Sequence, residues 1–454
     1  MSGFKSIIRS LWVSCLLVCL VWKVGCRSAA PSTDIPSVGT HVVKTEAGFQ
    51  LYRDGEPFRI KGACVIGLDE LPELKDAGAN TVRTYPGADL DAVFEVADSL
   101  GLAVIAGLDV PPARFGVDYQ DASQVEKIKN QLVEQVQRYK NHPSLLMWGV
   151  GNEVNLLAND EHTLAIYRAI DEFSRIVHQL DSLHPTTYMA NGPRVIPEIL
   201  STCQSLDIIS VNTFRSLGEL SQVLRYSEWL LDKPILISEW APLGYWSAPA
   251  NSWGAPLERN AEEKAYSIAE YYRDYLADSH PLIIGDCMFL WGQKQEQTHT
   301  WFSSFSEQGE ATTIVDQMHY LWSGSYPENR APLAQAIQVD TFKIKNEIFL
   351  EQGRTYQAVG YAKDDNGDSL TYDWEITPEY ERHGITGGDR EERPHAMPHL
   401  FEEARGDTLL FQAPDTTGAY RLYFYARDGR GKVGITNVPF YVLPPAGLQL
   451  RTEK

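Results

Sequence analysis

The sequence predicts an α/β protein in which a (β/α)8 TIM barrel is followed by a smaller all-β domain. Three observations lead to this fold class. Short apolar runs bounded by Gly or Pro recur eight times between residues 58 and 291, segments with helical periodicity separate them, and short alternating strands replace this pattern after residue 325. Eight alternating units in about 250 residues are typical of a closed barrel. A chain of 454 residues is ample for two domains.

The barrel is expected over residues 41–325, and each of its strands is predicted from one apolar run. The predicted strands are 58–65, 80–85, 102–109, 145–153, 186–191, 207–212, 235–240 and 286–291. The predicted crossover helices are 90–100, 123–139, 164–180, 217–231 and 261–277. A Gly-rich phosphate turn is typical after the first strand of an open doubly wound sheet, but Ile66-Gly67-Leu68 stands there, which favours the closed barrel.

Residues 326–454 are expected to form a β-sandwich. The strands predicted there are 356–361, 370–376, 408–413, 419–426 and 433–442. Residues 362–374, taken with the run Ala426-Arg-Asp-Gly-Arg-Gly, resemble the immunoglobulin-like modules appended to many secreted enzymes. Two roles stay open for this domain: it binds glycan, or it braces the barrel.

The amino terminus predicts export. Lys5 and Arg9 precede an apolar run over residues 11–22, which is too short to span a bilayer and suits the signal peptide that we expect over residues 1–30. Two processing schemes are open: lipid modification of Cys26, or cleavage after Ala30. The Pro/Ser-rich linker at 31–40 favours lipidation, which would anchor the protein to a membrane at the cell surface or in the periplasm. Cleavage after Ala30 would make it a secreted protein.

Charge and motif content exclude several function classes. The chain has 40 Lys plus Arg against 60 Asp plus Glu, a net charge of −20, so nucleic acid is not an expected partner. The cysteines beyond the signal region, Cys64, Cys203 and Cys287, have no metal-binding spacing and are expected to be buried thiols. The sequence has no His-x-His or His-Glu-x-x-His motif, so neither metal nor cofactor is expected. No protein partner is indicated.

Polar or aromatic side chains stand at the carboxyl ends of seven predicted strands. They are Arg83 and Tyr85, Asp109, Asn152 and Glu153, Asn191, Asn212, Glu239, and Trp291. The chemistry of a (β/α)8 barrel lies at this face, and buried polar groups cost free energy unless each has a partner. We therefore expect one binding and catalytic site there, with Asn212 among its substrate ligands.

Glu153 and Glu239 form the pair that carries the predicted chemistry. Glycoside hydrolysis needs at least two carboxyl groups facing the sugar, because one protonates the leaving oxygen and the other attacks or activates water. Glu153 follows an apolar, Gly-rich strand that is expected to raise its pKa, as a general acid requires. Arg83, on the second strand, is expected to hold Glu239 ionised, as a nucleophile requires.

Four runs resemble the retaining β-glycosidases of glycoside hydrolase clan A. They are Asn80-Thr-Val-Arg-Thr-Tyr85, Trp148-Gly-Val-Gly-Asn-Glu153, Ile237-Ser-Glu239-Trp-Ala-Pro and Phe289-Leu-Trp291-Gly. The resemblance spans residues 41–325. It implies that Glu153 is the acid/base, Glu239 the nucleophile and Asn152 a ligand of the sugar 2-hydroxyl. It further implies that Arg83 steadies the nucleophile and that Trp291 is the floor beneath the sugar.

One position departs from the clan pattern. Many clan members place a Tyr after the sixth strand to hydrogen-bond the nucleophile, whereas this chain has Asn212-Thr213-Phe214. Tyr85 and Tyr245 are both candidates for that role. Residues 80–85 also resemble the β-1,3-glucanosyltransferases, and residues 54–62 resemble the family 2 β-glycosidases.

The loops after the seventh and eighth strands are rich in aromatic and polar residues. Tyr245 and Trp246 are predicted substrate contacts, and Trp246, Trp253 and Trp301 are each either a sugar platform or a residue that packs the rim. Gln293, Lys294 and Glu296 either bind hydroxyl groups or are solvated.

The sequence therefore predicts an exported retaining β-glycosidase that degrades a β-glucan-type polysaccharide or oligosaccharide. Two alternatives remain: a β-glucanosyltransferase that uses the same residues, and a non-catalytic surface glycan-binding protein.

Overall fold

The computed structural model describes residues 36–214, 216–227, 232–241, 243–277, 280–340, 346–380 and 391–445. The predicted signal peptide, Cys26 and residues 31–35 of the predicted linker lie outside them. From Ser37 onward the described residues form one compact unit. In this part of the chain, no helix has both the length and the apolar character needed to cross a membrane.

Eight parallel strands close into a barrel, as the sequence predicts, and they follow one another around the ring in chain order. They are β4 (Ile60–Val65), β5 (Thr81–Arg83), β6 (Ala103–Gly107), β7 (Leu145–Asn152), β8 (Thr186–Ala190), β9 (Ile208–Asn212), β10 (Ile235–Trp240) and β11 (Ile283–Trp291). Each overlaps one predicted strand. β11 pairs with β4 and closes the ring.

Helices flank the strands of the barrel. They are α1 (Leu71–Asp76), α2 (Leu90–Leu100), α3 (Ala122–Tyr139), α4 (Asp160–Leu180), α5 (Ile196–Thr202), α6 (Leu217–Ser227), α7 (Ala261–Tyr271) and α8 (Thr313–Ser323). A π-helical turn over Tyr272–Leu276 extends α7. Local sequence explains the bounds of α2: the Asp89 side chain accepts from the Ala92 amide, and Gly101 ends the helix in the left-handed conformation at φ 64°.

Strand alternation divides the barrel core into two layers. On β6, Val104 and Ala106 pack outward among the helices, whereas Ala103 and Ile105 pack inside the ring. Both layers are buried, which is why the strands read as continuous apolar runs in the sequence. The interior is a packed core, so a substrate has access only at the ends of the barrel.

A three-stranded antiparallel sheet precedes the barrel. Its strands are β1 (Thr40–Thr45), β2 (Gly48–Arg53) and β3 (Glu56–Phe58). Asp54 and Gly55 join β2 to β3 with positive φ at both positions, the geometry of a type I′ hairpin turn. The sheet bonds to the carbonyls of Leu183 and Pro281, which precede β8 and β11. It therefore packs against the amino end of the barrel and leaves the carboxyl end open.

The remaining strands form two four-stranded sheets, ordered β12-β14-β17-β16 and β13-β19-β18-β15. They are β12 (Leu333–Val339), β13 (Phe349–Glu351), β14 (Thr355–Lys363), β15 (Thr371–Pro378), β16 (Phe401–Arg405), β17 (Thr408–Gln412), β18 (Gly418–Arg427) and β19 (Val433–Leu443). The sequence did not predict β12, β13 and β16. Ile376, Phe411, Leu422 and Phe440 lie in a common core. The all-β character is confirmed, whereas the immunoglobulin-like assignment stays a prediction.

The predicted domain boundary at residue 326 lies between α8 and β12. Contacts cross it, because Ala311 pairs with Lys432 and the Lys432 ammonium lies 2.6 Å from Asp316 on α8. Barrel and C-terminal sheets belong to one compact unit, so the boundary stays a prediction.

Candidate active site

Arg83 is at the centre of the polar residues at the carboxyl end of the barrel. Its side chain is fully buried at the end of β5. One terminal nitrogen donates to Glu239 Oε1 at 2.6 Å, and the other donates to Asn152 Oδ1 at 2.6 Å. The rigid guanidinium fork therefore fixes residues from two different strands, a geometry that a Lys ammonium does not reproduce.

Glu239 lies buried on β10 and receives two side-chain hydrogen bonds. Besides Arg83, the Tyr85 hydroxyl donates to Glu239 Oε1 at 2.9 Å. Tyr85, one of the two tyrosines that the sequence left open, therefore contacts the predicted nucleophile. Tyr245 lies in a 3-10 turn, where its ring packs edge-on against Trp246 and Trp301.

Glu153 follows directly after β7 in a strained conformation. Its φ is 47°, which is uncommon for a residue other than Gly. Two hydrogen bonds hold its backbone: its amide donates to the Met189 carbonyl at 2.9 Å, and its carbonyl accepts from Arg114 at 3.0 Å. The fold therefore holds the Glu153 main chain in one orientation at the mouth of the barrel.

The electrostatic surroundings of Glu153 suit a proton donor. Burial raises the pKa of its carboxyl to about 7, and the charge of Glu239 adds to the rise. The direction agrees with the expectation from the apolar strand. The Asn212 amide donates to Glu153 Oε1 at 2.8 Å, which opposes the rise in pKa without reversing it.

Asn152 and Asn212 connect the two glutamates. Asn212 Nδ2 also lies 3.2 Å from Asn152 Oδ1, and Asn212 Oδ1 accepts from Ser238 at 2.8 Å. Because Asn152 also bonds to Arg83, the hydrogen bonds run from Glu239 through Arg83, Asn152 and Asn212 to Glu153. These residues come from four strands, and the structure brings them into one network.

Cys64, Cys203 and Cys287 are buried free thiols, as predicted. Cys64 lies beside Arg83, 3.4 Å from one of its terminal nitrogens, and its thiol donates to the Ser238 carbonyl at 3.2 Å. Burial raises the pKa of Cys64 to about 11, so this thiol stays protonated near neutral pH and is a poor nucleophile.

An aromatic cluster forms one wall beside the network. Phe214 meets Trp246 and Phe289 edge-on at centroid distances of 5.3 Å, and Phe302 packs on all three rings. Trp246 remains 51% exposed, although three rings hold it in place. Of the predicted platforms, Trp246 is therefore the one whose face stays open to solvent beside the site.

The other two tryptophan platform candidates pack against protein. Trp301 is buried, and its indole nitrogen donates to the Leu243 carbonyl at 3.0 Å. Trp253 packs on Phe349 and Tyr441 of the C-terminal sheets. For these two residues the structure favours rim packing.

The structure contradicts the placement of Trp291 beneath the sugar. Trp291 is 1% exposed, packs on Phe305 and Trp322, and donates its indole N–H to the Glu70 carbonyl at 2.8 Å. The β11–β4 register shifts between Met288 and Trp291, so strict alternation of faces fails there. Trp291 therefore lies in the outer layer.

Phe289 takes the inward position that the clan resemblance implies for Trp291. It belongs to the inner layer of the barrel core, whereas Trp291 belongs to the outer one. The aromatic side chain of Phe289 near the end of the strand was the only sequence feature that pointed to this position. The register shift that selects Phe289 over Trp291 has no signature in the sequence.

The polar residues after β11, Gln293, Lys294 and Glu296, all contact other parts of the protein. Lys294 and Glu296 form an ion pair at 2.7 Å, and Glu296 is buried. The Lys294 ammonium lies 5.6 Å from the Phe289 ring centroid, and Gln293 donates to the His299 carbonyl at 3.2 Å. The Lys294–Glu296 pair thus lies next to the aromatic wall.

Two further strand-end residues have other surroundings. Asp109 accepts from the Gly87 amide at 2.6 Å and from the Gln135 side chain at 2.9 Å, so it joins a loop to α3. Asn191 has a buried side-chain oxygen that accepts no hydrogen bond from the residues that the structure describes. Within the described ranges, no group of three or more His, Cys, Asp or Glu residues is arranged to hold a metal ion.

Comparison with known proteins shows what this barrel is similar to. Residues 68–278, a stretch that includes both Glu153 and Glu239, match the family described as glycosyl hydrolases family 2, TIM barrel domain. A β-glucuronidase of Paenibacillus borealis is 29% identical over 340 residues, which cover 66% of this chain and 51% of the relative. A β-glucuronidase of Streptococcus agalactiae is 23% identical over 247 residues, covering 48% and 39%.

Among solved structures, a Bacteroides uniformis β-glucuronidase matches at 16% identity with a TM-score of 0.48, covering 89% of this chain and 48% of that one. The chain spans about half the length of the Paenibacillus borealis relative. The family match and the curated relatives support the predicted enzyme class, a glycosidase that hydrolyses O-glycosyl compounds.

Proposed function

We propose that this protein is an exported retaining β-glycosidase that cleaves a neutral β-glucan by double displacement. The observation that carries the proposal is that two glutamates in one hydrogen-bond network have different electrostatic surroundings. Glu239 is paired with the Arg83 guanidinium, whereas burial and the charge of Glu239 raise the pKa of Glu153 to about 7. A nucleophile and a proton donor need this division.

In the first step, a Glu239 oxygen attacks the anomeric carbon while the bond from that carbon to the leaving oxygen breaks. Glu153 gives its proton to the leaving oxygen, so the aglycone departs as a neutral alcohol. Arg83 and Tyr85 hold the Glu239 carboxylate in position for attack. The product is a glycosyl ester of Glu239, and Glu153 is left as a carboxylate.

In the second step, the Glu153 carboxylate takes a proton from water, and the water oxygen attacks the same carbon. The ester bond to Glu239 breaks and its carboxylate is regenerated. Arg83 and Tyr85 then stabilise the negative charge that returns to Glu239. Two inversions give net retention at the anomeric carbon.

The amide pair positions the sugar. Asn152 Oδ1 accepts from both Arg83 and Asn212, which turns its Nδ2 into the donor available for a sugar hydroxyl. The 2-hydroxyl is the group that the clan resemblance assigns to this residue. Trp246 adds an open aromatic face that suits the C–H surface of a second sugar.

The choice of a neutral glucan rests on the charge beside the aromatic wall. The relatives are named β-glucuronidases, so a β-glucuronide is the second candidate substrate. A glucuronide carboxylate needs a cation, and Lys294 already pairs with the buried Glu296 at 2.7 Å. A neutral ion pair suits hydroxyl groups better than a carboxylate, which Glu296 would repel.

Export and the C-terminal architecture complete the proposal. We assign residues 1–30 as a signal peptide, with Cys26 as the site of a lipid anchor, and the two C-terminal sheets as an immunoglobulin-like sandwich. The extended contacts of these sheets with barrel loops support a bracing role.

The test is a time course of products from the full-length chain. The substrates are β-1,3-, β-1,4- and β-1,6-linked glucans, mannan, galactan and an aryl β-glucuronide. The proposal expects shorter neutral products whose anomeric configuration is retained. Glu239→Ala should abolish turnover, whereas Glu219→Ala, which changes a half-exposed glutamate on α6, should not.

Other outcomes would replace the proposal. Products longer than the substrate would favour a glucanosyltransferase, and turnover of only the glucuronide would favour the second substrate. Glycan binding without turnover by the folded protein would favour a surface glycan-binding protein.

A further inference from the structure

Most of the loop after β11, residues 293–301, is buried although it lies beside the mouth of the barrel. Glu296, Gln297, Thr298, His299, Thr300 and Trp301 are all buried. Loops at such positions normally run over the surface. The C-terminal sheets cover this one, and their contacts with it are polar and specific.

One set of contacts comes from strands β15 and β18. His299 Nε2 lies 2.7 Å from the Tyr425 hydroxyl, which donates to Glu375 at 2.9 Å. Arg393 donates to both Glu375 oxygens at 2.7 and 2.8 Å. Burial lowers the pKa of His299 to about 3, so this contact keeps one protonation state at neutral pH.

A second set meets at the buried carboxylate of Glu258. Thr298 and Thr300 donate to it from the loop at 2.7 and 2.8 Å, and Asn437 donates from β19 at 2.9 Å. Lys264 of α7 supplies the countercharge at 2.5 Å. Glu258 therefore joins the loop, a barrel helix and a C-terminal strand.

The turn of the loop is strained, and C-terminal residues support it. Gln297 has a φ of 63°, and the backbones of Glu296 and Thr298 bond to each other across it at 3.0 and 2.8 Å. The Gln297 amide donates to Glu391 at 2.5 Å. A positive φ at Gln persists only where surrounding contacts fix it, and here the C-terminal part of the chain supplies that contact.

The loop in turn carries the Lys294–Glu296 pair to the wall of the site. The Lys294 ammonium faces the Phe289 ring at 5.6 Å, and Phe289 packs on Phe214 next to Trp246. Lys294 is partly exposed while Glu296 is buried. The loop therefore holds an ammonium donor and a carboxylate acceptor 2.7 Å apart beside the aromatic wall.

We propose that Lys294 and Glu296 form a binding site for two neighbouring hydroxyl groups of a neutral sugar, and that Tyr425 and Asn437 of the C-terminal sheets are its positioning residues. The inference rests on the proposed function and deepens it. The ammonium donates to one hydroxyl and the carboxylate accepts from the next. The C-terminal sheets then belong to the substrate site of the barrel and are not a separable glycan-binding module.

Kinetics of the full-length chain test the binding site. With a β-1,3-linked glucose hexasaccharide, Lys294→Met should raise KM about 10-fold, a loss of about 1.4 kcal/mol, with kcat within about threefold. Tyr425→Phe should raise KM about fivefold. Because both changes act through one contact, the KM of the double variant should lie within about twofold of the KM of Lys294→Met. Independent, multiplying effects would overturn the positioning role.

Tyr420→Phe is the matched control, because this tyrosine lies on the same strand and its hydroxyl bonds to the Thr416 carbonyl. It should leave KM unchanged. A KM rise as large as that of Tyr425→Phe would show a general effect of loosening the sheet and would overturn the inference.

Amide hydrogen exchange tests the positioning without catalysis. Tyr425→Phe and Asn437→Ser should each speed exchange over residues 293–301 about 10-fold and leave α3 unchanged. Unchanged exchange in this loop would overturn the positioning role. If the wild type hydrolyses nothing, the proposed function fails, and hexasaccharide affinity measured by calorimetry still decides the site: equal affinity of wild type and Lys294→Met would overturn it.

Discussion

The Arg83 guanidinium donates to the Glu239 carboxylate at 2.6 Å, and both side chains are buried at the end of the barrel. A buried ion pair is stable only when further hydrogen bonds satisfy its remaining donors and acceptors. Both terminal nitrogens of Arg83 meet this requirement through Asn152 and the Ser238 carbonyl, whereas its Nε has no hydrogen-bond partner among the residues that the structure describes. Glu239 accepts a further hydrogen bond from the Tyr85 hydroxyl. The pair thus has one favoured arrangement, as a nucleophile and its support require.

Arg83→Lys should lower kcat/KM about 10- to 100-fold. One ammonium cannot reproduce the fork to Glu239 and Asn152, and a hydrogen bond to a charged group contributes about 1.5–3 kcal/mol. Steady-state kinetics on the preferred glycan measure the loss. Arg430→Lys, at a half-exposed arginine that pairs with Asp368, is the control and should keep full activity. Equal activity of the two variants would contradict a role for Arg83.

Tyr85→Phe should lower kcat about 10-fold or more while the fold is kept. The change removes only the hydroxyl that donates to Glu239 at 2.9 Å, a donor that stabilises the carboxylate when it leaves the sugar. Pre-steady-state kinetics should show slower breakdown of the glycosyl-enzyme. If Tyr85→Phe keeps the wild-type kcat, another group supports the nucleophile.

The barrel was predictable because every strand has a recognisable apolar run in the sequence. A strand buried on both faces reads as a continuous apolar run, as β7 does, and strand order places the polar ends at one face. The grouping of Glu153 with Glu239 followed from that topology alone. The contact of Tyr85 with Glu239 did not, because it depends on side-chain directions that the sequence leaves open.

Other features depend on geometry between distant parts of the chain. The end of the eighth strand and the clan resemblance both predict Trp291 in the site, but the register shift in β11 turns it outward. The contact of Asn437 with Glu258 joins residues 179 positions apart. No local pattern marks either partner, so the role of the C-terminal sheets became visible only in the structure.

Activity should fall as pH rises through about 7. The proposed first step needs Glu153 protonated, and burial raises the pKa of this carboxyl to about 7. A kcat/KM profile between pH 5 and 9 measures this limb. Glu153→Gln should lose most activity on glycans yet retain far more on a dinitrophenyl glycoside, whose leaving group needs no proton. A profile with the same alkaline limb in Glu153→Gln would exclude Glu153 as its source.

Stability should show the same titration. The folded protein keeps the Glu153 proton up to about pH 7, whereas the unfolded chain loses it near 4.5, so this group stabilises the fold at low pH and the benefit disappears as pH rises through 7. Urea unfolding should therefore find Glu153→Gln increasingly stable relative to the wild type between pH 4.5 and 7. A stability difference that does not change with pH would contradict the raised pKa.

Trp246 and Trp291 should respond to substitution in opposite ways. Trp246 is 51% exposed beside the site, so Trp246→Ala should raise KM for a glucan several-fold, because it removes an aromatic face that meets the sugar. The unfolding midpoint should stay nearly unchanged. Tyr266→Ala, which removes a 65% exposed aromatic ring from α7, is the control for Trp246 and should change neither KM nor the unfolding midpoint.

Trp291 is 1% exposed among Phe305 and Trp322, so Trp291→Ala should cost about 3–5 kcal/mol of unfolding free energy through the cavity it leaves. Trp291→Phe should restore part of that stability with an unchanged KM. A KM rise in the folded Trp291→Phe protein would return this residue to the substrate site.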